Sequence, residues 1–180
     1  MTPSDTTSTC PAHLRLDQQL CFPLYAASNL MTRLYRPLLD ELGLTYPQYL
    51  VMLVLWEASP STVSALGDRL RLDSGTLTPL LKRLEAAGLV RRTRDAADER
   101  RVLVSLTDSG CALRDQAEDV PHRLVCRVLG EAASGPLAST HTPDAPFADA
   151  ATLRHQLQAL VQTLSRALEA PTPTHNPTRS

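Results

Sequence analysis

Aromatic side chains are nearly absent from this 180-residue sequence, which holds two Phe, four Tyr and one Trp. A core must therefore be assembled from Leu, Val and Ala, which suits packed helices. No apolar run approaches the roughly eighteen residues that a membrane span needs, so no membrane association is expected. The opening MTPSDTTSTC has neither the basic nor the apolar region of a secretory signal, and a cytoplasmic location is the expectation. Cysteine is sparse and irregularly spaced, at Cys10, Cys21, Cys111 and Cys126, which is not the pattern of a disulfide framework. In a reducing compartment any bond among them is conditional. The five histidines show no metal-ligand spacing with these cysteines, and His122 and Cys126 at i, i+4 form a weak pair at most. Neither a metal nor a cofactor is expected.

What is present is an ordinary globular composition, 43% hydrophobic and 21% charged, with an uneven distribution of charge. The whole chain carries a formal −1, yet Arg69 to Arg101 carries +4 and the remainder −5. A cationic segment inside an acidic chain is the footprint of a localised nucleic-acid site. A solvated helix face has the same composition, so charge alone leaves both readings open.

Periodicity divides the chain. Residues 1–13 and 171–180 are polar and rich in Thr and Pro, and are read as disordered tails. Residues 14–43 carry Leu16, Leu20, Leu24, Leu30, Leu34 and Leu38 at helical spacing, with Pro23 and Pro37 expected to kink or interrupt the helix. A short segment to Phe22 followed by a long helix from near Pro23 is the preferred division. Thr45 is the expected N-cap of YPQYLVMLVLWEA, a helix so apolar that it must be buried. A short helix follows at 63–70, then the turn LDSG and the helix TLTPLLKRLEAAG ending at Gly88. Pro79 fits either a helix capped by Thr78 or one that begins near Ser74 and loses a bond. The segments LVRRTR and RVLVSLT, joined by the charged DAADER, read as two strands. A helix-turn-helix followed by such a hairpin predicts a winged helix-turn-helix over 44–107. The expected fold is mainly α with a small antiparallel β-wing. A post-wing helix, interrupted at Pro121, spans 108–129, and 130–150 reads as a flexible linker. Residues 151–170 form an amphipathic helix through Leu153, Leu157, Leu160, Leu164 and Leu168. The terminal helices can form a dimerisation domain or pack within one chain.

The residues now in view, LDQQLCFPLY, LTYPQYLVMLVLWE and RLDSGTLTPLLKRLEAAGLVRRTRDAADERRVLVSLT, resemble the MarR family of winged-helix repressors. QLCF and TYPQY resemble its organic-hydroperoxide-sensing OhrR branch. The resemblance spans Leu14 to Leu129, and the 130–149 linker is longer than that branch usually has. It implies a homodimer on double-stranded operator DNA, with one recognition helix per subunit in the major groove and a wing at each flank. The recognition helix is Ser74 to Ala87, where Ser74, Thr76 and Thr78 are short hydroxyl donors and Lys82 and Arg83 the long cations. In the wing the DNA-binding candidates are Arg94, Asp98, Arg100 and Arg101. Arg100 is the preferred minor-groove contact, with Asp98 bracing the arginine.

A thiol reacts with peroxide as its thiolate, which hydrogen-bond donors or a helix N-terminus favour. Tyr25 lies one turn from Cys21 on the same face. Tyr35 returns to roughly that face but lies about 21 Å along the axis, so it cannot touch Cys21 of its own helix. If both tyrosines serve Cys21, Tyr35 comes from a second chain. The resemblance implies the same arrangement: Tyr35 and Tyr46 of the partner hydrogen-bond the sensing Cys21, an organic hydroperoxide oxidises it, and the two-cysteine type closes an intersubunit disulfide with Cys126. Cys126 also fits a buried apolar filler. A MarR-type repressor responding to a phenolic ligand, with inert cysteines, is the rival reading. A thiol peroxidase is disfavoured, because no CxxC follows a βαβ pattern and no charged base lies near Cys21 in sequence.

Overall fold

The computed structural model describes residues 11–129 and 150–169. Expectations for residues 1–10 and 171–180, for the linker at 130–149 and for Cys10 lie outside the described residues; at 11–13, read as part of the N-terminal tail, the chain instead enters a 3₁₀ turn. The chain divides into two units, Met1–Ala133 and Ser134–Ser180.

Two single 3₁₀ turns, Ala12–Leu14 and Leu16–Gln18, lead into α1 (Cys21–Asp40). The helix starts two residues earlier than the proline suggested, at Cys21, and Pro23 occupies its first turn, where the missing N–H has no intrahelical partner to lose. Pro37 lies inside the helix without interrupting it, although it leaves the Arg33 carbonyl without its i+4 N–H.

Helix α2 (Tyr46–Glu57) begins at Thr45, whose backbone N–H and hydroxyl both donate to Gln48 Oε1, at 2.8 and 2.9 Å. The side chain three residues into the helix thus satisfies the N-cap from inside, as in a capping box. Val51, Met52, Val54 and Leu55 are buried, so α2 runs through the core as its composition demanded. Strand β1 (Ser61–Thr62) follows, then α3 (Val63–Leu70), α4 (Ser74–Ala86), β2 (Val90–Arg94), β3 (Val102–Leu106), α5 (Asp108–Ala117) and α6 (Val120–Leu129). The hairpin pairs Val90 with Leu106 through Arg94 with Val102, all antiparallel. A third strand was not foreseen: β1 pairs with β3 at Ser61–Val104 and Thr62–Leu103 and gives the order β1-β3-β2. Two residues are too short for a period of two to register in a sequence.

Leu39, Val51, Met52, Leu66, Leu77, Leu84 and Val104 have no solvent-accessible surface. They come from α1, α2, α3, α4 and β3, so one core ties the helix-turn-helix to the wing and to the C-terminal half of α1. Each such Leu contributes roughly 1.5–3 kcal/mol by leaving water. Gly88 ends α4 with φ 71°, a left-handed turn that admits the following strand. Helix α7 (Ala150–Glu169), in the second unit, leaves Leu157, Val161, Leu164 and Leu168 exposed as a one-sided stripe. No described helix is long and apolar enough to cross a membrane.

The wing is anchored to α5 at Gly110. Its N–H donates to the Thr107 hydroxyl at 3.0 Å and its carbonyl accepts Trp56 Nε1–H at 2.9 Å. A Cβ there would stand 2.0 Å from the Leu89 carbonyl oxygen, which is backbone and cannot swing aside. Gly110→Ala is therefore expected to cost about 2 kcal/mol or more. Thermal unfolding followed by Trp56 fluorescence measures it, and an unchanged midpoint would refute this packing account.

Candidate nucleic-acid interface and cysteine sites

Helix α4 is started by Asp73 rather than by Thr78. Asp73 Oδ1 accepts the Thr76 backbone N–H at 2.9 Å and Oδ2 accepts the Thr76 hydroxyl at 2.8 Å. The Thr78 hydroxyl donates back to the Ser74 carbonyl at 2.6 Å. Of the two starts that Pro79 allowed, the one near Ser74 is adopted. Two of the three short hydroxyls thus spend their protons inside the helix, and they face a phosphate with lone pairs unless they rotate. Leu77, Leu81 and Leu84 fill the core, which turns Lys82 and Arg83 outward.

The cationic segment sorts into paired and unpaired charges. Arg92 is bound to Glu85 by its backbone N–H at 3.0 Å and by Nε and Nη2 at 2.8 and 2.6 Å, which welds β2 to α4. Arg69 pairs with Glu57. Lys82, Arg83, Arg91, Arg94 and Arg100 are exposed and make no hydrogen bond or ion pair through their side chains among the described residues. Sequence reasoning left Arg91 out, because nothing in a run of arginines says which one folds onto a glutamate.

At the wing tip, Asp98 Oδ1 accepts the Arg100 N–H at 3.1 Å, and the Arg101 N–H donates to the Asp98 carbonyl at 2.8 Å. Arg101 Nε lies 3.3 Å from Asp98 Oδ2. The expectation that Asp98 braces the groove-contacting arginine needs correcting in detail. Its carboxylate pairs with the guanidinium of Arg101, whereas it fixes only the backbone of Arg100, whose side chain projects without a partner.

Cys21 is exposed, in the first turn of α1, among the exposed apolar side chains Leu20, Phe22, Leu24 and Tyr25. Tyr35 belongs to a different neighbourhood. Its ring stacks on Tyr46 with centroids 4.7 Å apart and meets Tyr49 at 5.7 Å. Burial, with Tyr46 and Tyr49 beside it, pushes the Tyr35 phenol up to about 12. Burial also raises Tyr46 and Tyr49. These phenols keep their protons and act as donors. Tyr25 stands apart and is largely exposed.

Cys126 is half-buried on α6, with its Sγ 3.8 Å from both ring nitrogens of His122. Helix α6 is tied to the end of α1 by Arg123, which donates to both carboxylate oxygens of Glu41 at 2.8 Å. Glu41 lies roughly 30 Å beyond Cys21 at about 1.5 Å per residue, and Cys126 lies about 5 Å from Arg123. Two fully extended side chains and their bond reach at most roughly 14 Å. The two cysteine backbones of one chain are therefore about 10 Å or more apart, beyond the ~7 Å limit for a disulfide. Cys111 is exposed in the first half of α5. Among the described residues no three His, Cys, Asp or Glu side chains are placed to hold a metal. An open cleft of about 490 Å³ lies beside Trp56, lined among others by Glu57, Arg114, Asp115 and Glu118.

A recognition-type helix with a cationic, exposed outer face, followed by a hairpin with a projecting arginine, defines a winged helix-turn-helix protein. Residues 33–116 match the family described as transcriptional regulator SarA/Rot. Over 109 residues, 61% of this chain and 74% of the relative, the sequence is 56% identical to the organic hydroperoxide resistance transcriptional regulator of Bacillus subtilis (strain 168). It is 59% identical to the HTH-type transcriptional regulator TtmR of Methylorubrum extorquens (strain PA1), over 59% of this chain and 55% of that one. Reduced AbfR bound to DNA superposes with a TM-score of 0.67 at 33% identity, covering 87% of this chain and 96% of that chain. AbfR, from Staphylococcus epidermidis, also has a disulfide-formed structure, with a TM-score of 0.54 at 36% identity over 87% and 94% of the two chains. The chain belongs to the MarR/OhrR type of winged-helix transcriptional regulators, and its relatives are regulators rather than enzymes.

Three carboxylates are held below their usual range: Glu41 by Arg123, Asp73 by the Thr76 N–H and hydroxyl, and Glu85 by the Arg92 side chain and backbone. A depressed folded value means stabilisation that is present above the unfolded carboxylate pKa, about 4, and is lost as pH falls through the folded values. Acid unfolding followed at Trp56 should thus steepen below about pH 4. Asp73→Asn should flatten that limb, and an unaltered acid profile would contradict the cap's contribution.

Proposed function

We propose that this chain is a homodimeric repressor that senses organic hydroperoxides through Cys21 and releases operator DNA on oxidation. The observation that carries the reading is the place of Cys21. It is an exposed thiol at the first position of a helix, on an apolar face formed with Leu20, Phe22 and Leu24 that suits an alkyl peroxide. The 56% identity to a regulator named for organic hydroperoxide resistance supports it, as does AbfR, a relative with both reduced and disulfide-formed structures.

On DNA, α4 enters the major groove with Ser74, Thr76, Thr78, Lys82 and Arg83, and the wing carries Arg94 and Arg100 to the flank. Asp98 and Arg101 hold the tip in shape. Two copies read half-sites at fixed spacing. When an organic hydroperoxide meets Cys21, its O–O bond breaks, the sulfur takes one oxygen and the alcohol leaves. The sulfenic acid then condenses with Cys126. The same-chain distance argues that the bond joins two subunits, and the distance to Tyr35 argues that the phenols of Tyr35 and Tyr46 serve the cysteine of the other copy. Tyr25, one turn away, serves its own. A bond between helices of two subunits rotates the winged units and spoils their spacing. The rival reading, a repressor that responds to a phenolic or other small-molecule ligand with inert cysteines, predicts no release of operator on oxidation.

Operator affinity measured by fluorescence anisotropy tests both halves. Arg100→Ala should weaken specific binding and lower the slope of log K against log salt by about one, with an unchanged unfolding midpoint. An Arg100→Ala protein that binds as well as wild type removes the wing from the interface. Treatment with an alkyl hydroperoxide should release wild-type protein and leave Cys21→Ser bound. Release of the Cys21→Ser protein by the same treatment would refute Cys21 as the sensor.

A further inference from the structure

We propose that His122 is a positioning and proton-accepting residue for Cys126, making it the thiol that resolves oxidised Cys21; this rests on the sensing mechanism above. The two side chains stand one turn apart on α6, and the sulfur lies 3.8 Å from both Nδ1 and Nε2. Equal distances mean that the sulfur faces the ring instead of lying on the axis of one nitrogen. The ring must turn about its Cβ–Cγ bond before one nitrogen points at the sulfur, and the tautomer decides which nitrogen can accept the proton.

An imidazole at this distance takes a thiol proton, or as imidazolium it pairs with the thiolate. Condensation needs both actions in sequence. Imidazole accepts the Cys126 proton, the thiolate attacks the Cys21 sulfur, and the S–S bond forms as the S–O bond breaks. The departing hydroxide takes the proton back from imidazolium and leaves as water. No oxidant is consumed in this step, because the organic hydroperoxide has already oxidised the Cys21 sulfur. The pair is held where it is by α6, which Arg123 fixes to Glu41 at the end of α1. The charged groups around it are Asp119 and Arg123 near His122, Arg127 next to Cys126, and Glu41 on α1, the helix packed against α6. Of side chains with ordinary pKa values, only an imidazole changes charge between about pH 5 and 8.

The test separates this role from the sensing mechanism. In full-length protein with Cys10, Cys21 and Cys111 changed to Ser, iodoacetamide reports the reactivity of Cys126 with no peroxide present. His122→Gln should slow alkylation at neutral pH by at least about threefold and change the shape of the pH profile. Operator binding by the reduced variant shows that it is folded. In the protein with all four cysteines, His122→Gln should slow disulfide closure after an alkyl hydroperoxide, while a dimedone-reactive sulfenic acid accumulates on Cys21. Equal alkylation rates and profiles overturn the role of His122 and leave peroxide sensing at Cys21 intact. Unequal rates in a protein whose wild-type form closes no Cys21–Cys126 bond overturn the sensing mechanism and with it the resolving role.

Discussion

Helix α1 is a ruler, and its length governs what the rest of the protein can do. Twenty residues extend about 30 Å. Cys21 stands at one end, while Leu38 and Leu39 are buried in the core at the other. Tyr35 is locked into the Tyr46–Tyr49 cluster, and Arg123 grips Glu41, so neither can slide toward the thiol. Among the described residues, the groups proposed to stabilise or resolve an oxidised Cys21, except Tyr25, are therefore held toward the far end of its own helix. A rigid rod solves this only when a second rod runs the other way beside it. The exposed apolar face around Leu20, Leu24 and Leu30 is what such a crossing would cover.

The same economy of pairing shapes the cationic surface. Arg92 and Arg69 are spent on Glu85 and Glu57, and Arg101 on Asp98. Those exposed or partly exposed ion pairs contribute little to stability one at a time. Their larger effect is geometric: Arg92 sets the angle of the hairpin against α4, and Asp98 sets the turn at the tip. The cations left unpaired among the described residues include Lys82 and Arg83 on the helix and Arg91, Arg94 and Arg100 on the wing, each held at a defined position. A cation that already has a carboxylate must give it up to reach a phosphate, and one without has no such cost.

Much of this was legible in the sequence, for physical reasons that differ from part to part. The burial of α2 follows from YPQYLVMLVLWE, because a helix apolar on all sides has nowhere else to go. The hairpin follows from the change of period after Gly88. The starts of α2 and α5 follow from Thr45 and Thr107, whose side chains take up local donors and acceptors. Three features were not legible. Strand β1 is two residues long. The start of α4 depended on whether Asp73 or Thr78 won the capping competition, and a chain with both has two plausible answers. The partition of arginines depended on contacts such as Glu41 with Arg123, which are 82 residues apart. At the candidate site, the spacing from Cys21 to Tyr35 already carried the two-chain argument. The matching limit on Cys126 needed the Arg123–Glu41 link, which no spacing encodes.

The opening question about Cys126, filler or reactive group, is now constrained by its surroundings. A filler sits among apolar side chains and away from groups that would ionise it. Cys126 shares a half-exposed turn with an imidazole, on a helix clamped at Arg123. Cys21, by contrast, has no side-chain base bonded to it among the described residues. The two thiols are thus suited to different halves of one reaction. In the proposed sensor, the exposed apolar face around Cys21 meets a greasy oxidant and the sulfur attacks it. A thiol with its own proton acceptor is the better second nucleophile, because a sulfenic acid leaves hydroxide behind and needs a proton returned. On the proposed mechanism, that division of labour puts acid–base chemistry on α6 and recognition of the oxidant on α1, two helices joined by the Arg123–Glu41 pair.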